Sequence, residues 1–109
     1  VASRIEREGL DNVRALLAPK GKCPLADDTA DAIYALDMFH MVADPTAFLK
    51  ELNRISRPEG VLFIDNGHQS RAQAKAKIAA SGAWEIVREV PRYLQLRPIT
   101  PAAEVARCA

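Results

Sequence analysis

The sequence predicts an α/β fold with a mainly parallel sheet that closes in an antiparallel hairpin. Two short, largely apolar runs, residues 32–36 and 61–65, are typical of strands buried on both faces of a parallel sheet. A helical pattern separates these runs, and a second helical pattern follows them. Strands that alternate with helices in this way favour a layered α/β domain with right-handed crossovers.

Length, composition and charge exclude several classes of protein. The chain has 109 residues, of which 49% are hydrophobic and 27% charged, and this suits one globular domain. A net charge of +1 is too small for a dedicated nucleic-acid binder. No apolar run approaches the roughly 20 residues of a membrane helix, and no signal-peptide pattern opens the chain. We therefore expect a cytoplasmic protein whose two widely spaced cysteines, Cys23 and Cys108, are reduced.

The first quarter of the chain contains a short helical segment, an apolar run and a loop. Residues 4–8 are charged and helix-compatible, and residues 13–18 fit a strand. Residues 19–29 form a loop by their Pro, Gly and Asp content. Because the chain begins with Val1 rather than Met, we expect that earlier elements of the domain precede it.

The first clear helix follows the first apolar run. Asp44 can cap this helix and Pro45 suits its first position, while Pro58 and Gly60 end it. Helical spacing places four apolar side chains on one face. These side chains are Phe48, Leu49, Leu52 and Ile55.

A second helix and a hairpin complete the pattern. The helix covers residues 70–81, with Ser70 as its cap and Gly82 just past its end, and its basic face is expected to be solvated. Apolar and polar side chains alternate in part over residues 84–90 and 92–99. The proline between these segments and their closeness in sequence predict an antiparallel hairpin at one end of the sheet. Residues 100–109 are small and polar, and we expect a flexible tail.

Both histidines of the chain follow apolar strands at the same distance from an aspartate. Residues 37–40 read Asp-Met-Phe-His after the first strand, and residues 65–68 read Asp-Asn-Gly-His after the second. If these strands are parallel, both segments emerge at the carboxyl edge of the sheet, where ligands bind in such folds. The sequence therefore predicts that His40 and His68 converge on one crevice.

Three interpretations of this crevice compete on the residues alone. The aspartates can serve as loop caps beside partly exposed histidines. Alternatively, the crevice can hold a cofactor and a substrate, with His40 or His68 as an acid, a base or an orienting group. A divalent metal on two aspartates and two histidines is the third interpretation, although the spacing is a weak signal. The chain has no P-loop, no G-x-G-x-x-G motif and no nucleophile elbow.

An ordered series of short motifs gives the sequence a family resemblance. Through the order and spacing of these motifs, residues 4–99 resemble the second half of class I S-adenosylmethionine-dependent methyltransferases of the type 11 kind. The matching positions are Pro24-Leu25, Asp31 to Leu36, Phe39 to Val42, Asp44-Pro45, Arg54, Arg57 to Gly60 and Val61 to Asp65.

The resemblance implies a fold, a cofactor and site residues. It implies a partial Rossmann-like methyltransferase sheet in residues 1–99 and methyl transfer from S-adenosylmethionine to a small-molecule acceptor. By family position, Leu36, Asp37 and Met38 face the methionine part of the cofactor, and residues 18–25 hold its adenine. His40 and His68 are the expected catalytic residues at the acceptor side, and no metal is expected.

The chain also departs from the family pattern. The glycine-rich cofactor loop and the acidic residue for the ribose lie upstream of Val1 in the family, while Met41 and Glu59 replace a family histidine and glycine. We therefore expect a truncated domain. Missing strands would expose sheet edges, so we also expect the chain alone either to fold poorly or to pair with another chain, for example in a homo-oligomer. The alternative function is a non-catalytic α/β module for dimerisation or partner binding.

Overall fold

A computed structural model describes residues 22–99, which form a four-stranded sheet and two α-helices. The sheet order is β1-β2-β4-β3, with β1 and β2 parallel and β4 antiparallel to both of its neighbours. The elements are β1 (Ala30–Ala35), a 3-10 helix (Phe39–Met41), α1 (Pro45–Ile55), β2 (Ser56–Ile64), α2 (Arg71–Ser81), β3 (Trp84–Val90) and β4 (Tyr93–Pro98). The predicted α/β class and the terminal hairpin are confirmed. The helix predicted at 4–8, the strand at 13–18 and the tail at 100–109 lie outside the described residues.

Helix α1 begins where the sequence predicts and ends earlier than expected. The Asp44 carboxylate accepts a hydrogen bond of 3.1 Å from the Ala47 amide, which is an ordinary N-cap. At the other end, the Ile55 carbonyl accepts from the Thr29 amide at 2.8 Å, and Ser56 already pairs with Ala30 of β1. The expectation that Pro58 and Gly60 end the helix is therefore wrong. Pairing with β1 ends the helix first, and residues 57–60 form an irregularity inside β2.

Helix α2 and its ends match the sequence prediction. Ser70 and Gln73 form a reciprocal capping box, in which each side chain accepts from the other residue's amide. Gly82 follows the helix in the left-handed conformation with φ of 65°. Ala74 and Ile78 point to the core, as the helical spacing requires.

The hydrophobic core lies between the two helices and one face of the sheet. The indole Nε1 of Trp84 on β3 donates 2.8 Å to the Leu49 carbonyl, so the outer strand is tied to α1. Burying a polar ring nitrogen with a partner avoids the cost of an unpaired donor. The largest fully buried side chains are Phe39, Leu49, Leu62, Ile64, Ile78, Leu94 and Leu96.

No described element covers the opposite face of the sheet, which presents a row of three aromatic rings. The Tyr34 ring stacks on Phe63 at a centroid distance of 5.1 Å, and Phe63 meets Tyr93 edge-on at 5.6 Å. Tyr34 is 67% exposed, so the expectation that residues 32–36 are buried on both faces is wrong for the part of the chain that the structure describes. In β1 only alternate side chains meet the helices, and Leu36 lies beyond the strand with its side chain exposed.

The described helices are short. Helices α1 and α2 have 11 residues each. Within residues 22–99, neither is long and apolar enough to cross a membrane.

Candidate functional site

The loops that follow β1 and β2 meet at the carboxyl edge of the sheet. Parallel pairing sets Ala35 beside Ile64, so both strands end at the same level. Just beyond them, the Asp37 amide donates a hydrogen bond of 2.8 Å to Oδ1 of Asp65. The predicted shared edge is therefore confirmed, and the two aspartates touch across 28 residues of sequence.

One carboxylate holds both loops in place. Oδ1 of Asp65 also accepts from the Gly67 amide at 3.2 Å, which folds residues 65–67 into a tight turn. Asp37 itself adopts a φ of 55°, an uncommon conformation for a residue with a side chain. The hydrogen bond from its amide stabilises this conformation and turns the chain from β1 into the 3-10 helix.

The two histidines converge as the sequence predicts. Their ring centroids lie 4.5 Å apart, with the ring planes at 82°, so one ring meets the other edge-on. His68 is exposed, and its Nε2 lies 3.8 Å from Oδ1 of Asp37. His40 is partly buried between the two loops. His68 therefore lies within a few ångströms of both the His40 ring and the carboxylate of Asp37.

Gly67 allows the His40 ring to pack directly on the backbone. Its φ is 63°, and a Cβ at this position would overlap Nδ1 of His40. That Nδ1 is buried and has no hydrogen-bond partner among the described residues. The backbone of Gly67 therefore encloses one of the two ring nitrogens of His40.

The four polar side chains at this edge do not form a metal centre. Within residues 22–99, no group of three or more His, Cys, Asp or Glu side chains has an arrangement that could hold a metal ion. The geometry thus does not support the metal interpretation of Asp37, His40, Asp65 and His68.

The loop before β1 is clamped to α1 by an ion pair that the sequence analysis did not single out. The Cys23 amide donates 2.6 Å to Glu51, and Arg54 donates 2.9 Å to the Cys23 carbonyl and 3.0 Å to the Leu25 carbonyl. The hydrogen bond from Arg54 lowers the pKa of Glu51 to about 2. Residues 22–25, the described part of the predicted adenine loop, are thus fixed to the helix. Cys23 is a free thiol.

The basic face of α2 is bonded rather than simply solvated, which corrects the sequence expectation. Arg71 is only 23% exposed and donates to Asn66 at 2.8 Å. Lys75 donates 3.1 Å to Glu89, which lowers the pKa of that carboxylate, and Lys77 donates 2.6 Å to Gln69. Arg71 is the functional candidate that sequence reasoning missed. Its hydrogen-bond partners in the hairpin lie 18 to 20 residues away in sequence, so no local sequence pattern indicates these contacts.

A parallel pair with polar loops at its carboxyl edge, continued by an antiparallel hairpin, is a Rossmann-like α/β arrangement, and solved methyltransferase structures share it. The chain belongs to the methyltransferase domain family, whose family model matches residues 1–64. The family resemblance of the sequence is therefore confirmed.

Curated relatives of the chain are named O-methyltransferases. The chain is 36% identical over 62 residues to the ubiquinone biosynthesis O-methyltransferase of Xanthomonas oryzae pv. oryzae strain PXO99A. This match covers 57% of the chain and 25% of the relative. The chain thus spans about a quarter of the length of the curated relatives that it matches.

Solved structures with the same fold include two methyltransferases. An S-adenosylmethionine-dependent methyltransferase from Aquifex aeolicus aligns with a TM-score of 0.69 and 25% identity, over 88% of this chain and 58% of that one. A putative type 11 methyltransferase from Sulfolobus solfataricus aligns with a TM-score of 0.66 and 18% identity, over 90% of this chain and 65% of that one. The second likeness shows the fold alone.

The edge residues fit the cofactor that the family implies. S-adenosylmethionine carries positive charge on its sulfonium and ammonium groups beside a short aliphatic chain. Leu36 offers an exposed apolar side chain, and Asp37 offers an exposed carboxylate beside it. Met38 packs against the core and anchors the segment. An apolar and an anionic group side by side are complementary to a cationic, partly apolar ligand.

Proposed function

We propose that this chain takes part in S-adenosylmethionine-dependent methyl transfer to the oxygen of a small-molecule acceptor. The observation that carries the proposal is the hydrogen bond from Asp37 to Asp65, which assembles both loops at one edge in a member of this family. The name of the Xanthomonas relative supports oxygen as the methylated atom. The small net charge supports a small acceptor over a nucleic acid.

The residues after β1 are the proposed cofactor contacts. When bound, S-adenosylmethionine supplies an activated methyl group. Leu36 would shield the aliphatic part, the carboxylate of Asp37 would face positive charge, and Met38 would hold the segment against the core. Because methyl transfer is a displacement, its rate depends mainly on how well the reacting atoms are aligned. A segment anchored by Met38 and by the amide of Asp37 is suited to that task.

The histidine pair is the proposed acceptor side of the site. A hydroxyl group becomes a better nucleophile when a neighbouring base accepts its proton. Nε2 of His40 can accept that proton, because Nδ1 is enclosed by Gly67. The His68 ring contacts that of His40 and lies 3.8 Å from the carboxylate of Asp37, and it would orient the acceptor or pass the proton on to solvent.

Isothermal titration calorimetry of the full chain with S-adenosylmethionine tests the cofactor proposal. We expect saturable binding that weakens in Asp37→Asn. The matched control is Asp31→Asn, since the Asp31 side chain is 79% exposed and that of Asp37 is 77% exposed. Absence of binding up to millimolar ligand contradicts the proposal and favours the non-catalytic dimerisation or partner-binding module.

A transfer assay tests the histidines. With labelled S-adenosylmethionine and a panel of small hydroxyl compounds, we expect His40→Ala to lower transfer by roughly 100-fold or more, in the range of general base catalysis. Cofactor affinity should change little. If His40→Ala weakens cofactor binding instead and leaves transfer at saturation intact, His40 belongs to the cofactor contacts.

A further inference from the structure

The position of His68 depends on the turn that carries it rather than on its own side-chain contacts. The ring is exposed, and its Nε2 lies 3.8 Å from Oδ1 of Asp37. Neither that contact nor the edge-on approach to His40 is strong enough to fix an exposed side chain. The backbone of residues 66–68 must therefore set where the ring lies.

Arg71 of α2 forms a hydrogen bond to this turn. Nε of Arg71 donates 2.8 Å to Oδ1 of Asn66, the first residue of the turn after Asp65. The carboxylate of Asp65 accepts from the Gly67 amide within the turn and from the Asp37 amide after β1, so it joins the turn to β1 while Arg71 joins it to α2. Arg71 is the first residue of α2, and its backbone is fixed by the helix.

The guanidinium of Arg71 is itself anchored to the β3–β4 hairpin. Nη2 donates 3.0 Å to the Val90 carbonyl and 2.9 Å to the Pro91 carbonyl. Nη1 lies 3.4 Å from the carboxylate of Glu89. Four acceptors around one planar fork make a rigid link that a lysine could not reproduce.

We propose that Arg71 is a positioning residue for the histidine pair, because it locks the Asn66–His68 turn to the hairpin. This inference rests on the proposed function for its consequence in methyl transfer. The turn can position both rings, because it carries His68 and because the His40 ring packs against the backbone of Gly67. A displaced turn would move His68 directly, and it would remove the packing contact between the His40 ring and Gly67.

Nuclear magnetic resonance on the full chain tests this without cofactor. His40 and His68 are the only histidines in the sequence, so a cross-peak between two histidine rings has a single assignment. We expect Arg71→Lys and Asn66→Ala each to lose this cross-peak. Lys75→Gln is the matched control, because Lys75 shares the partner Glu89 but does not touch the turn. That variant should keep the cross-peak.

The outcomes separate this inference from the proposed function. A cross-peak that persists in both Arg71→Lys and Asn66→Ala overturns the positioning role, and so does its loss in Lys75→Gln. Asn66→Ala leaves Arg71 bonded to the hairpin, and it serves as the test if Arg71→Lys fails to fold. In a chain that transfers methyl groups, both variants should lower kcat by roughly 10- to 100-fold with KM for the cofactor unchanged. If the chain binds no cofactor, the proposed function fails while the cross-peak result stands.

Discussion

The amide of Asp37 donates to the carboxylate of Asp65 at 2.8 Å, and this contact joins two loops that are 28 residues apart in sequence. The same oxygen of Asp65 holds Gly67, on which His40 rests. One carboxylate therefore connects the proposed cofactor segment with the proposed acceptor side. The two loops are thus joined by a hydrogen bond from a backbone amide to a carboxylate, and not by a contact between the two histidine rings alone.

Loss of the Asp65 carboxylate should destabilise the whole edge. Asp65→Ala removes a charged acceptor shared by two amides, and we expect the free energy of unfolding to fall by about 2 kcal/mol. Asp65→Asn keeps an acceptor oxygen and should cost about half as much. Urea denaturation measures both values. Asp31→Asn is the control, and equal stability of Asp65→Ala and that control would contradict the role of Asp65.

Alanine substitutions at two glycines with nearly the same backbone conformation distinguish the cost of backbone strain from the cost of steric overlap. Gly67 has φ of 63° and Gly82 has φ of 65°, but a Cβ meets His40 at the first position and nothing within 4 Å at the second. Gly82→Ala should cost about 1 kcal/mol in unfolding free energy for the left-handed conformation alone. Gly67→Ala should cost about 1–3 kcal/mol more because it also overpacks the site.

A double variant checks that comparison. Replacing His40 by Ala in the Gly67→Ala background removes the overlapping ring, so most of the additional loss should be recovered. Thermal or urea unfolding of the four combinations gives the coupling between the two positions. Independent, additive effects of the two substitutions would show that the ring and the glycine do not meet in solution.

Glu51 should make the stability of the chain depend on acid. Its pKa is lowered from 4.5 to about 2 in the folded chain, first by the hydrogen bond from Arg54, so the folded state binds a proton less readily than the unfolded state. The stabilisation is fully present above pH 4.5 and is lost as the pH falls towards about 2. Urea denaturation across this range should show a steeper decline for the native chain than for Glu51→Gln. Parallel declines would contradict the assignment.

The aromatic face that no described element covers, and the edge of β1 that no described strand pairs with, should promote self-association. Among the described residues β1 pairs only with β2, and Tyr34 stands exposed beside the stacked ring of Phe63. We expect the chain to sediment as a dimer or larger species at micromolar concentration, and Tyr34→Lys to reduce that fraction. Ala80→Lys, on the exposed side of α2, is the control. A monodisperse native monomer that melts cooperatively would overturn the prediction.

Local sequence patterns predicted most of the fold, because helix capping and glycine turns depend on residues that are close in sequence. Ser70 and Gly82 mark the ends of α2 through capping and through the left-handed conformation, and both are where the sequence placed them. Asp44 marks the start of α1 in the same way. The end of α1 could not be predicted, because pairing of Ser56 with Ala30 depends on a distant strand. Solvent exposure of Tyr34 was missed for a similar reason, since it depends on which elements pack on each face.

By itself, the sequence determined the class of fold, the family and the shared edge of His40 and His68. The two strands follow from their apolar runs, and parallel strands bring their carboxyl ends together whatever the details of packing. Tertiary structure alone decided that Asp65 bridges the loops, that Gly67 seats His40, and that Arg71 ties the turn to the hairpin. These contacts join residues on different elements, and a hydrogen bond between them forms only after the sheet and helices have set their distance and direction.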